Sequence, residues 1–232
     1  CYTVHVFSGG WPGMNDSASI DLAAMLCSRL CHDMLSPVGA FANGLELLAT
    51  ETDPDMRQNC MELLEQSAQI STNKLKFFRL AFGAAGGFGD RVPVEEAKDL
   101  IGALAADKGR IEVEWALADA NLAKPAVKVL LNFAQIAVDA LVRGGTLMVG
   151  AERRDGACEI VVRASGPKIA FDATLGHALD GTLSARELSS RTAAAHMIYL
   201  LAKSCGGRLQ HAVGPDALVL GAVLPEGEGL IG

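Results

Sequence analysis

A histidine beside an acid, with a proline five residues after the histidine, is the stretch of this sequence best suited to chemistry: Leu30-Cys31-His32-Asp33-Met34-Leu35-Ser36-Pro37. Imidazole is a nucleophile and a base near neutral pH, and an adjacent carboxylate can hold one tautomer of it. The stretch reads as helix. Proline inside a helix removes one backbone hydrogen bond and crowds the carbonyl four residues back, here that of Asp33, at a cost of roughly 3 kcal/mol. A kinked helix beside an ionisable pair suggests a reactive histidine presented on a bundle. An incidental surface histidine with a tolerated proline is the alternative, and the octapeptide alone does not choose between them.

The element that must carry His32 is long. From Ile20, the apolar positions Ala24, Cys27, Cys31, Met34, Val38, Phe41, Leu45 and Leu48 follow at alternating spacings of four and three, a heptad seam of the bundle type. Leu22, Met25, Leu26, Leu30 and Leu35 widen the seam, so the helix meets more than one neighbour. His32 follows a seam position, and Ser28, Ser36, Gly39 and Asn43 give its face a small, polar character. The helix is expected to stop near Thr50. Asp53-Pro54 then reads as the N-cap and first residue of a second helix running to Phe82. That helix carries two apolar stripes, Cys60, Leu63, Ile70 and Phe77 beside Met61, Leu64, Ala68, Leu75, Phe78 and Phe82. One hairpin cannot bury both, and a symmetric dimer forming a four-helix bundle would.

Composition narrows the function classes. A net charge of −7 over 232 residues lacks the basic footprint of a nucleic-acid binder. No apolar run reaches the about 18 residues of a spanning helix. Cys1, Cys27, Cys31, Cys60, Cys158 and Cys205 lack the dense spacing of a disulfide scaffold, so reduced thiols in a cytoplasmic protein are expected. The Cys27, Cys31, His32 spacing does not match haem attachment, and both thiols are expected on the buried seam, so no metal is assigned. Residues 1–16 are expected to be a disordered leader, with Met14 resembling a natural start.

Residues 17–83 form the helical-hairpin unit in this reading, and residues 84–90 a glycine-rich linker. Residues 91–226 form a mixed α/β unit, and 227–232 a tail. Within the α/β unit the pattern predicts helices over 94–106, 125–143 and 190–205. Strands are predicted over 110–117, 146–153, 157–163, 208–213 and 217–224, with a hairpin turn at Asp155-Gly156. The fold class is therefore α plus α/β: a helical hairpin forming a dimeric four-helix bundle, followed by a two-layer α/β sandwich. His177 is placed in a loop, His196 on a helix and His211 on a strand, all with structural or solvent-facing roles.

A hairpin carrying His-Asp-x-x-x-Pro ahead of such a layer resembles the dimerisation and ATP-binding domains of bacterial sensor histidine kinases, over residues 20–225. The resemblance implies that His32 carries a phosphoryl group and that Asp33 assists the transfer, with Pro37 as the structural kink. Asp33 as a merely solvated acid is the alternative. The nucleotide half departs from the kinase pattern. Leu131-Asn132-Phe133-Ala134-Gln135-Ile136-Ala137 resembles the Mg²⁺-binding helix, but Ile136 stands where its second asparagine belongs. Ala164-Ser165-Gly166-Pro167-Lys168 replaces the adenine-reading Asp-x-Gly-x-Gly, and Arg191-Thr192-Ala193-Ala194-Ala195-His196 replaces a glycine-rich turn.

An intact histidine on a degenerate kinase frame resembles the histidine phosphotransferases of alphaproteobacteria. The runs 26–33 and 74–83 match that family. The resemblance implies a homodimeric enzyme without autokinase activity, needing no ATP and no cofactor of its own, with Mg²⁺ supplied by the partner receiver domain. It implies a donor receiver resembling that of the hybrid kinase CckA and recipient regulators resembling CtrA and CpdR, in cell-cycle control, with no nucleic-acid or membrane partner. Arg29, Ser36 and Asn43 are candidates for docking the receiver. Arg29 as an ordinary helix-surface arginine remains open. The competing functions are an ATP-using kinase with an atypical site and a non-catalytic dimer that docks receivers.

Overall fold

A computed structural model describes residues 16–83, 90–184 and 186–226. The expected leader at its first fifteen residues, the linker over 84–89 and the tail over 227–232 lie outside the described residues.

Two long helices open the fold, α1 (Asp16–Thr50) and α2 (Pro54–Phe82). The turn between them is fixed by local chemistry. The Asp53 carboxylate accepts from the N–H groups of Asp55 and Met56, capping α2, and Pro54 occupies its first turn. Arg57 donates to the carbonyls of Leu48 and Glu51, which the end of α1 leaves without helical partners. The helices then press together along Leu22, Pro37 and Gly44 of α1 and Cys60, Leu64 and Ser67 of α2. Gly44 permits this approach, since a Cβ there would lie 2.9 Å from Leu64 Cδ2.

The heptad seam faces the other way. Ile20, Leu35, Val38, Phe41 and Leu45 of α1 and Met61, Leu63 and Leu75 of α2 are exposed. Cys27 and Cys31 are exposed in the single chain too, as members of this outward seam. The reason is geometric: α1 has two apolar faces, and α2 covers the one through Leu22 and Pro37. Leu63, assigned by spacing to the stripe of Cys60, points outward, and Leu64 replaces it in the core.

The α/β unit consists of β1 (Arg91–Pro93), α3 (Val94–Lys108), β2 (Ile111–Leu117), β3 (Asn121–Ala123), α4 (Lys124–Ala140), β4 (Gly145–Arg154), β5 (Ala157–Ser165), α5 (Ala173–Asp180), α6 (Ala193–Ser204), β6 (Arg208–Val213) and β7 (Ala217–Pro225). Five strands form a mixed sheet in the order β2-β4-β5-β7-β6, with β2 parallel to β4 and the other pairs antiparallel. Alternate residues such as Leu147, Val149, Ile160, Val162, Leu218 and Leu220 face α4, which is itself buried on nearly every side. Asp155 and Gly156, at φ 50° and 77°, make the tight β4–β5 turn. A helical hairpin followed by a mixed α/β layer agrees with the expected fold.

Four details differ from expectation. β1 and β3 pair antiparallel into a small separate sheet that the sequence pattern does not predict. α4 ends at Ala140 instead of 143, because the Ala140 carbonyl is taken by the N–H of Ala170 from a distant loop. His177 sits on the short helix α5, capped by Asp172 at its start and by left-handed Gly181 at its end. α6 begins at Ala193, and the Thr192 hydroxyl ties the preceding turn to the Glu187 carbonyl and the Ser189 N–H.

The hairpin is anchored to this layer. Phe77 and Ala81 at the end of α2 belong to the α/β core, and Phe77, Phe78 and Phe82 pack edge-on and tilted at centroid distances of 6.0, 6.4 and 5.3 Å. Lys128 of α4 donates to the Gly83 carbonyl at 2.7 Å. Burial holds the pKa of Lys128 below the usual lysine value, and neighbouring Lys124 lowers it further.

Candidate active site

α1 runs unbroken through Pro37. Proline has no N–H to give to the Asp33 carbonyl, and Lys74 of α2 takes that place, its Nζ donating to Asp33 O at 3.2 Å. The backbone beneath the histidine is thus tied to the second helix. Lys74→Met keeps the aliphatic stem but leaves a half-buried carbonyl without a donor. Urea denaturation of that variant should show a loss of about 1–2 kcal/mol. Unchanged stability would mean that the carbonyl does not depend on Lys74.

His32 stands outward with 86% of its side chain exposed. Adjacent helical residues point about 100° apart, yet its Nδ1 lies 3.3 Å from Asp33 Oδ1. The other carboxylate oxygen of Asp33 lies 3.6 Å from Arg29 Nε, one turn earlier. Arg29 is not an ordinary surface arginine: its side chain is 19% exposed, and its Nη2 reaches Asp139 of α4 at 4.0 Å. In the tautomer whose Nδ1–H donates to Asp33, Nε2 carries the free lone pair, on a side chain that is largely exposed. A hydrogen-bonded carboxylate also stabilises positive charge that develops on the ring when Nε2 attacks an electrophile.

These residues border an open cleft of about 990 Å³ between the hairpin and the α/β unit, which Asp172 and Arg191 also line. Ser36 and Asn43 are exposed on α1. The positions that match the kinase nucleotide boxes have other uses. Asn132 is 2% exposed and donates to the Lys128 carbonyl, while Ile136 and Ala164 are buried apolar side chains. Among the described residues, no three His, Cys, Asp or Glu side chains gather into a group able to hold a metal ion.

The other histidines have different surroundings. His196 of α6 is half-buried and stacked on Tyr199 at 6.1 Å, and burial holds its pKa below the usual histidine value. His211 of β6 lies 3.3 Å from Asp180 and 5.5 Å from the Phe171 ring. Cys158 is buried, which pushes its thiol up to about 11, with Glu226 and Asp119 adding to the effect, so it is a packing residue.

Sequence reasoning missed Lys74 and Asp139. The first was findable, because a proline-orphaned carbonyl demands a donor. The second carries no local signal.

Comparison with known proteins identifies the family. The family model described as histidine phosphotransferase C-terminal domain matches residues 94–217. The chain is 34% identical over 200 residues to the protein phosphotransferase ChpT of Brucella abortus (strain 2308), spanning 86% of this chain and 94% of that one. It also resembles the solved structure of a bacterial phosphotransferase, with a TM-score of 0.76 and 30% identity over 92% of this chain and 100% of the other. A protein phosphotransferase relative along nearly the whole chain and a matching domain model lead to one assignment: the chain belongs to the histidine phosphotransferase family.

Proposed function

We propose that this phosphotransferase relays a phosphoryl group between receiver domains through His32. The observation that supports the reading best is the solvent-facing imidazole whose Nδ1 sits on Asp33, leaving Nε2 open at the mouth of a cleft. In the first half-reaction the Nε2 lone pair attacks the phosphorus of a receiver's aspartyl phosphate. The N–P bond forms as the P–O bond breaks, and the donor aspartate leaves as a carboxylate. The ring keeps its Nδ1 proton and becomes a phosphoimidazolium, whose positive charge faces the Asp33 carboxylate. The second half-reaction reverses these steps on the aspartate of the recipient. Phosphoryl transfer depends mainly on positioning and charge neutralisation, and Mg²⁺ would come from the receiver.

The finer assignments follow the family resemblance: a donor resembling the receiver of CckA, recipients resembling CtrA and CpdR, cell-cycle control, and a cytoplasmic homodimer. No helix of the described residues is long and apolar enough to cross a membrane. The outward apolar face of the hairpin supports the dimer. Passage of radiolabelled phosphate between two receivers, in the wild type and in His32→Ala, tests the relay.

In this relay the phosphate comes from a receiver and not from ATP. With an ATP analogue and Mg²⁺ added, the melting temperature should not move. A nucleotide at a hundred times its Kd would add about 2.7 kcal/mol, a rise on the order of 5–10 °C for a chain of this size. Such a rise would favour the kinase reading.

A further inference from the structure

We infer that Asp139, on the α/β unit, is a positioning residue for His32, acting through Arg29 and Asp33. This rests on the relay reading above. Four side chains form a line: His32 Nδ1 to Asp33 Oδ1 at 3.3 Å, Asp33 Oδ2 to Arg29 Nε at 3.6 Å, and Arg29 Nη2 to Asp139 Oδ2 at 4.0 Å. The carboxylate of Asp139 is itself oriented. Gln135, one turn earlier on α4, donates to Oδ2 at 3.0 Å, and Lys108 from the last turn of α3 lies 3.2 Å from Oδ1.

The setting gives the line electrostatic weight. Arg29, Asp33 and Asp139 separate the open cleft from a cavity of about 200 Å³ behind them, walled by Phe77, Phe78 and Leu104. The Arg29 side chain is 19% exposed, and its guanidinium is shared between two carboxylates. Without Asp139, Arg29 turns its full charge on Asp33, whose carboxylate then pulls less strongly on the imidazole N–H. Asp172 of the loop before α5 and Arg191 of the turn before α6 also line the cleft that His32 borders. Neither belongs to the line.

The α/β unit thereby has a use in this reaction. Asp139 lies one turn beyond Ile136, the residue at the lost metal-ligand position, and both border the cleft. One face of a nucleotide-type helix here supports the hairpin's histidine.

Asp139→Asn is isosteric and half-exposed, so circular dichroism melts should match the wild type. Single-turnover transfer from a phosphorylated receiver should fall about fivefold in maximal rate, the size of one partly exposed ion pair. The half-saturating receiver concentration should stay the same. Imidazole ¹⁵N spectra of His32 should move from mainly the Nδ1–H tautomer towards a mixture. In an Arg29→Gln background, Asp139→Asn should add nothing. Wild-type rates with an unmoved ring spectrum, a change in half-saturation alone, or effects of the two substitutions that multiply would each overturn the inference. If the wild type passes no phosphate through His32, the relay reading fails, and the ring spectra still decide whether Asp139 holds the imidazole.

Discussion

His32→Ala is expected to stop phosphoryl passage between receivers, by at least about a thousandfold, because in the proposed relay it removes the nucleophile itself. The substitution should cost little stability. The imidazole is exposed and its described contact is with the adjacent Asp33, and alanine is the best helix former. The assay is the movement of labelled phosphate from a phosphorylated receiver to a second receiver. In the wild type the label should rest transiently on this chain in an acid-labile, base-stable form, and in His32→Ala no such species should appear. Passage at near wild-type rate in the variant would remove His32 from the reaction. Receivers that bind the wild type without ever leaving an acid-labile phosphate on it would identify a docking scaffold.

What the sequence made legible was chemistry that is local along the chain. Asp53-Pro54 and Asp155-Gly156 set a helix start and a hairpin turn from their own side chains and φ values, so both fell where expected. β1 and β3 are three residues each and exist by pairing with each other across α3 and β2, so neither has a periodicity to detect. The end of α4 was misplaced because Gly144-Gly145 is the visible stop, whereas the Ala140 carbonyl is claimed earlier by Ala170. α5 carried readable caps in Asp172 and Gly181, but its eight residues are too short for a periodic signal. At the site, His32, Asp33 and Pro37 were legible as a motif. Their joint geometry was not, since Lys74 and Asp139 come from other helices. The heptad seam was legible as a pattern, while which side of α1 it occupied was decided by the close approach at Gly44.

That outward seam sets the second large expected effect. Val38→Glu combined with Leu45→Glu should convert the proposed dimer into monomers. Both side chains are about half exposed in the single chain, in line with Ile20, Phe41 and Leu75. Such a stripe is more apolar surface than a soluble monomer ordinarily leaves uncovered. A two-fold axis along it would pack two hairpins into a four-helix bundle, with the seam as its core. Under that symmetry each substitution appears twice, so the pair brings four carboxylates into one apolar layer. Burying an unpaired charge costs several kcal/mol, and the dimer should weaken by at least about a thousandfold. Light scattering at micromolar concentration should report twice the chain mass for the wild type and one chain mass for the variant. The α/β unit has its own core around Phe133, Leu147 and Leu220, so its strand signal in circular dichroism should persist while the hairpin helices lose stability. His32 lies beside the seam with its ring turned to solvent, so assembly would leave Nε2 open and present two independent sites. A wild-type chain that is monomeric at these concentrations would leave the seam without its proposed partner.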